Sequence, residues 1–220
     1  MRRMIVVLAV CAAVPVVASA DINFLSTVDA DGTLTTTYDG ATVWNFTTAA
    51  PPEGWIVEGN YDLVSDSVSG KYAAPYTGAG FDETQYFTVP KDVDSEPQSA
   101  TISFGGQQTY LGLFWGSIDS YNLIEFLDEH GAVLDDYTGT EVAGAAGYPI
   151  IEGSANQGDP RANLYVNFVD MKPFSAVRFT STTYAFEFDN LAVVPVPVPG
   201  AVLLGFLGLG AAGLKLRKHA

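Results

Sequence analysis

Trp115, Asp119, Tyr121, Asn122 and Glu125 crowd one short stretch, LFWGSIDSYNLIEF, at the junction of two apolar runs. An indole and a phenol beside carboxylate and amide groups can stack a sugar ring and hydrogen-bond its hydroxyls. The same residues also suit a structural role. Trp115 would then belong to the core, with Asp119 and Asn122 closing the turn through side-chain to backbone bonds. A second group, Glu187, Asp189 and Asn190, offers the oxygen donors that Ca²⁺ takes, of which it needs roughly six to eight. Local loop bonding is the competing reading. An ion there would staple the fold, and no other cofactor is expected.

Histidine catalysis has little to work with. Ahead of the C-terminal tail the only histidine is His130, in the acidic turn Asp128-Glu-His-Gly131. The chain has no H-E-x-x-H, G-x-S-x-G, P-loop or nucleophilic cysteine motif. Paired carboxylates can hydrolyse glycosides, but acidic residues are so abundant that any pair can be chosen. The expectation is a protein without enzymatic activity. A carbohydrate-binding module is the second reading and a glycoside-active enzyme the third.

The elements that must position these residues read as β. Thr, Val, Tyr and Phe are frequent, and Gly, Asp, Asn and Pro punctuate at short intervals. Asp29-Ala-Asp-Gly32 resembles part of a calcium loop. The ligands an EF-hand would need at Thr27 and Tyr38 are missing, so a hairpin turn is expected. Strands are expected over residues 33–38, 42–48, 55–58 and 85–89. The densest strand signal follows: 100–104, 108–115, 121–127 and 132–137 read as consecutive antiparallel strands, with a turn at Gly105-Gly106 between the first two. In Gln108–Trp115 both faces are apolar, which suits a central strand between two layers. Residues 139–160 read as a long Gly/Ala loop of the kind that can lie beside a site. Strands at 164–169, 176–180 and 184–194 close the domain. No helix of ten or more residues shows a 3.6 period away from the termini. These elements predict an antiparallel β-sandwich of jelly-roll type.

The chain has 220 residues, with 25 acidic and 10 basic ones. All 25 acidic residues, and only five basic ones, fall in residues 21–193, giving that segment a formal charge of −20. Such a surface repels nucleic acid and anionic membrane and suits solubility outside the cell. Residues 1–20 read as a secretory signal peptide: Arg2 and Arg3, an apolar core from Ile5 to Val17, and the cleavage site Ala18-Ser19-Ala20. The Sec translocon and signal peptidase are the implied partners. The only cysteine, Cys11, lies in this leader, so the mature domain has no disulfides.

The other terminus, residues 194–220, has three parts. A Pro-Val repeat supplies the box Val196-Pro197-Val198-Pro199-Gly200-Ala201. An uncharged run to Leu214 follows, and then a basic end with Lys215, Arg217 and Lys218. As a helix the uncharged run spans about 22 Å at ~1.5 Å per residue, short against a hydrocarbon core of ~30 Å. Prolines preclude a helix upstream, and the basic end should stay cytoplasmic.

This order resembles the PEP-CTERM sorting signal read by exosortases of Gram-negative bacteria, with Val198 where the commoner Pro-Glu-Pro box has Glu. The resemblance implies a single transmembrane sorting helix, transient inner-membrane anchoring, cleavage near the box, and release of the domain to the cell surface or outside. Four blocks ahead of it, Tyr72-Ala-Ala-Pro75, Leu113–Asn122 with Glu125-Phe126, Tyr165-Val-Asn-Phe168 and Tyr184-Ala-Phe-Glu-Phe-Asp-Asn190, together resemble a family of exosortase-dependent surface proteins. That resemblance implies an exported protein beside an exopolysaccharide and brings no catalytic residue. The organisation expected is a signal peptide (1–20), a β-sandwich ectodomain (21–193) and a sorting signal (194–220).

Overall fold

The computed structural model describes residues 21–197. The leader 1–20, the sorting box from Val198 onward, the uncharged run and the basic residues Lys215, Arg217 and Lys218 lie outside the described residues. Within them, no helix is long and apolar enough to cross a membrane.

The chain is all-β. Short strands come first: β1 (Asp21–Asn23), β2 (Thr27–Val28), β3 (Leu34–Thr35), β4 (Thr42–Trp44), β5 (Ile56–Gly59), β6 (Asp62–Val64) and β7 (Tyr86–Val89). The long β8 (Ser99–Gly116) leads into β9 (Asn122–Leu127), β10 (Val133–Thr138) and the helix α1 (Gly139–Ala145). Then come β11 (Leu164–Val169), β12 (Phe174–Ser181) and β13 (Phe186–Pro195). β2 and β3 form a separate hairpin around the Asp29–Gly32 turn, closed by the Asp29 N–H donating to the Thr33 carbonyl at 2.8 Å.

β8 organises everything else. Its first half pairs with β5 and β12, its second half with β11 and β13, all antiparallel. β9 and then β10 extend the β12 side. β7 with β6, and β4 further along, extend the β13 side, and β1 pairs with β11. The two groups pack on each other through aromatic rings. Phe179 of β12 stacks on Phe188 of β13 at 4.4 Å, and Phe126 of β9 meets Phe168 of β11 edge-on at 5.2 Å. Such pairs add roughly 0.5–1.5 kcal/mol beyond their burial, and this Phe-rich core takes the place of the missing disulfides.

Two expectations need correction. Gly105-Gly106 is not a turn: the segments expected at 100–104 and 108–115 are one strand and do not pair with each other. The pairing with β12 jumps from Gln108↔Phe174 to Ser103↔Ala176, so the glycines sit in a bulge that bends β8 from one group of strands into the other. Residues 139–160 are not all loop either. α1 begins on a capping box, in which Thr138 Oγ1 accepts from the Glu141 N–H at 3.3 Å and Glu141 Oε2 accepts from the Thr138 N–H at 2.8 Å. The Thr138-Gly-Thr-Glu141 spacing carried that signal.

Candidate functional site

A cavity of about 520 Å³ opens where four segments meet: the loop 67–72 before β7, the turn 117–121 after β8, residues 153–157, and the run 183–187 that starts β13. Local chemistry holds each wall. Ala74 N–H donates to Ser67 Oγ at 2.9 Å, folding the loop on itself. Gly116 lies so close to Pro75 that a Cβ there would come within 2.9 Å of the proline ring. The neighbouring Ser117 takes a φ of +48°, a left-handed conformation that costs a non-glycine residue roughly 1–2 kcal/mol. Its N–H then meets Asn163 Oδ1 at 3.1 Å.

Asn163 is the hub of the far wall. Its Oδ1 also accepts from the Tyr76 N–H at 2.9 Å, and its Nδ2 donates to the carbonyls of Asn156 and Asp159, each at 2.9 Å. Asn156 passes the connection on, donating from Nδ2 to Asp119 Oδ1 at 2.8 Å. Tyr121 donates to the other oxygen, Oδ2, at 2.6 Å, with the Tyr184 carbonyl 3.1 Å from the same hydroxyl.

Glu187 faces the same cavity from β13. Its Oε1 accepts from the Ala73 N–H at 2.8 Å. Its Oε2 is buried without a hydrogen-bond partner in the protein, and so is Ser117 Oγ. Burial pushes the Glu187 carboxyl up to about 8, opposed by the Ala73 N–H and reinforced by the charge of Asp119. Burial likewise lifts Asp119 to about 6, with the Tyr121 and Asn156 hydrogen bonds pulling the other way. Both carboxyls therefore hold their protons to higher pH than an exposed carboxyl does. The cavity is lined by two buried carboxyls, Asp119 and Glu187. Half-buried Tyr72, Tyr121 and Tyr184 line it, and exposed Lys71 stands at its rim.

The residues singled out by sequence divide. Asp119 and Tyr121 line the cavity. Asn122 lies beneath it, fully buried: its Oδ1 accepts from the Asp119 N–H at 3.0 Å, and its Nδ2 donates to Ser181 Oγ and the Ala185 carbonyl. Trp115 offers no stacking face. It is fully buried against Phe186, ring centroids 4.3 Å apart, because both faces of β8 are covered here. Glu125 is also elsewhere, gripping Arg178 across the β9–β12 ladder at 2.6 and 2.7 Å.

The expected ligand trio does not form one site. Glu187 belongs to the cavity. Asp189 lies with Asp82 and Thr84, held well above the usual carboxylate range by burial and by Asp82, while the Asn190 amide reaches Thr33. Among the described residues no three acidic, histidine or cysteine side chains group to hold a metal.

Sequence reasoning did not find Asn163, Ser117 or Glu187 as parts of one cavity, since an asparagine before a strand reads as a solvated loop residue. The sequence blocks did carry a partial signal. Tyr72–Pro75, Leu113–Asn122 and Tyr184–Asn190 each contribute to the cavity or its frame, and Gly153, Asn156 and Gln157 come from the segment expected to lie beside a site. No family model matches the chain, and neither a curated protein nor a solved structure matches it.

Proposed function

We propose that this chain is an exported, exosortase-sorted surface or extracellular-matrix protein without enzymatic activity, which holds an exopolysaccharide through the cavity at Asp119 and Glu187. The Sec translocon and signal peptidase deliver it after cleavage at Ala20. The segment 194–220 anchors it in the inner membrane as a single transmembrane helix until exosortase cuts near residues 196–201, and the domain ends at the cell surface or outside. Its body is a β-sandwich of jelly-roll type. Acidic charge disfavours nucleic acid as a partner.

The observation that carries the binding reading is the convergence of three tyrosine rings with two buried carboxyls in one cavity. Sugar hydroxyls both donate and accept, and sugar C–H faces stack on aromatic rings. Tyr72, Tyr121 and Tyr184 supply the platform that Trp115 cannot.

The test is binding of the purified full chain to a glycan array and to exopolysaccharide from the producing cells. Tyr184→Ala, folded by circular dichroism, should weaken binding by up to roughly tenfold, in line with ~0.5–1.5 kcal/mol for a stacked ring. Undiminished binding would remove the cavity from the reading. For sorting, deleting residues 194–220 should release the domain unanchored into periplasm or medium, and normal surface retention of the truncation would contradict it. One observation favours a second reading, glycoside hydrolysis: two buried carboxyls, Asp119 and Glu187, line the same cavity. New reducing ends on incubation with the polysaccharide, lost in Glu187→Gln, would replace the first reading with this one.

A further inference from the structure

The other acidic cluster on β13 is sealed. Here β13 exchanges β7 for β4 as a partner, and its pairing with β8 slips between Asp189 and Ala192. Asn190 sits in this bulge at a φ of +49°, which asparagine tolerates better than most residues. Asp82, Asp189 and Asn190 are 3%, 0% and 0% exposed.

Donors and acceptors do not balance there. Thr84 Oγ1 lies 2.6 Å from Asp82 Oδ1 and 3.3 Å from Asp189 Oδ2. A hydroxyl has one proton, and the shorter contact takes it, leaving Asp189 Oδ2 without a donor. Asp82 Oδ2 and Asn190 Oδ1 are buried with no hydrogen-bond donor among the described residues, and the Asp82 carboxyl lies against that of Asp189. The remaining carboxylate oxygens are already served, Asp82 Oδ1 also by the Thr84 N–H at 2.7 Å and Asp189 Oδ1 by the Asn190 N–H at 2.6 Å. Among the described residues no Lys or Arg pairs with either carboxyl. The hairpin turn with the calcium-loop-like Asp29-Ala-Asp-Gly32 docks on Asn190, the neighbour of Asp189. Asn190 Nδ2 donates to Thr33 Oγ1 at 2.6 Å and to the Leu34 carbonyl at 3.0 Å, and Thr33 Oγ1 donates to Asp31 at 2.7 Å.

We propose that Asp82, Asp189 and Asn190 bind one Ca²⁺ ion at the β13 bulge. The donors are hard oxygens of mixed type, two carboxyls, an amide and the Thr84 hydroxyl, with neither imidazole nor thiolate among them. Ca²⁺ accepts amide, hydroxyl and backbone oxygens to complete its shell, so a third carboxylate is not required. The ion ties the loop before β7, the strand β13 and, through Asn190, the β2–β3 hairpin into one unit, in a segment with no cysteine.

The experiment uses the purified full chain in detergent, stripped with a chelator and dialysed against Ca²⁺ alone. It should bind one Ca²⁺ per chain more tightly than Mg²⁺, and Tm should rise when Ca²⁺ replaces chelator. Asp82→Asn and Asp189→Asn, which keep side-chain shape, should each weaken Ca²⁺ binding by roughly tenfold or more. Glu187→Gln, in the cavity, should leave it unchanged. Folded wild-type chain that binds no Ca²⁺ and melts identically in Ca²⁺ and chelator would overturn the proposal, since the two carboxyls then share a proton. Binding that survives Asp82→Asn but disappears in Glu187→Gln would overturn it as well, moving the ion to the cavity.

Discussion

Glu187 and Asp189 are two positions apart on one strand and both are buried carboxyls, yet their surroundings differ in kind. Glu187 has an open cavity before it, a backbone N–H behind it and tyrosine rings beside it. Asp189 has a second carboxyl and a single shared hydroxyl, closed off beneath the β2–β3 hairpin. The first arrangement can exchange hydrogen bonds with a polar ligand. The second offers acceptors with too few donors and is satisfied only by a proton or a cation. Burial alone therefore does not assign a role to an acidic residue, because the donors it is buried with decide that role.

Glu187→Gln should make the largest difference on the open side. Glu187 stands at about 8 in the folded chain against an ordinary value of 4.5. Between those values the folded chain keeps a proton that the unfolded chain has released, so stability falls as pH rises through that window. The glutamine variant should lose this slope and exceed wild type at pH 9 by on the order of a few kcal/mol, read by urea unfolding across pH. A wild-type profile flat from about pH 5 to 9 would show that Glu187 is solvated and erase the contrast with Asp189.

Asn163→Ala should act next. It removes the acceptor shared by the Tyr76 and Ser117 N–H groups, and stranding buried donors costs about 1–3 kcal/mol. Urea midpoints should show the loss, with weaker saccharide binding because the Asn156–Asp119 connection loosens. A neutral effect would mean that solvent already reaches this wall.

The smallest effect belongs to Glu125→Gln. The Arg178 pair is bidentate but on the outer face of the sheet, so about 0.5–1 kcal/mol and a clear salt dependence are expected, with saccharide binding untouched. Altered binding would draw Glu125 back into the site.

Several features were settled by local pattern. A period of two in apolar residues and frequent turn residues make the chain all-β. The strand Leu164–Val169 and the hairpin turn at Asp29–Gly32 came out as read, since each depends only on neighbours in sequence. Candidate residues Asp119 and Tyr121 were legible for the same reason, being polar and aromatic groups at a turn. Only the tertiary structure could decide the rest. Gly105-Gly106 permits a turn or a bend equally well, and the need of β8 to serve both groups of strands selects the bend. The strand ending at Trp115 reads as buried on both faces, but its sequence leaves open whether the indole at its end is core or platform, and the packing of Phe186 against it decides for the core. Glu187 and Asp189 parted because a bulge and a change of partner strand separate their environments within two residues, and those partners come from sequence positions more than 60 residues away.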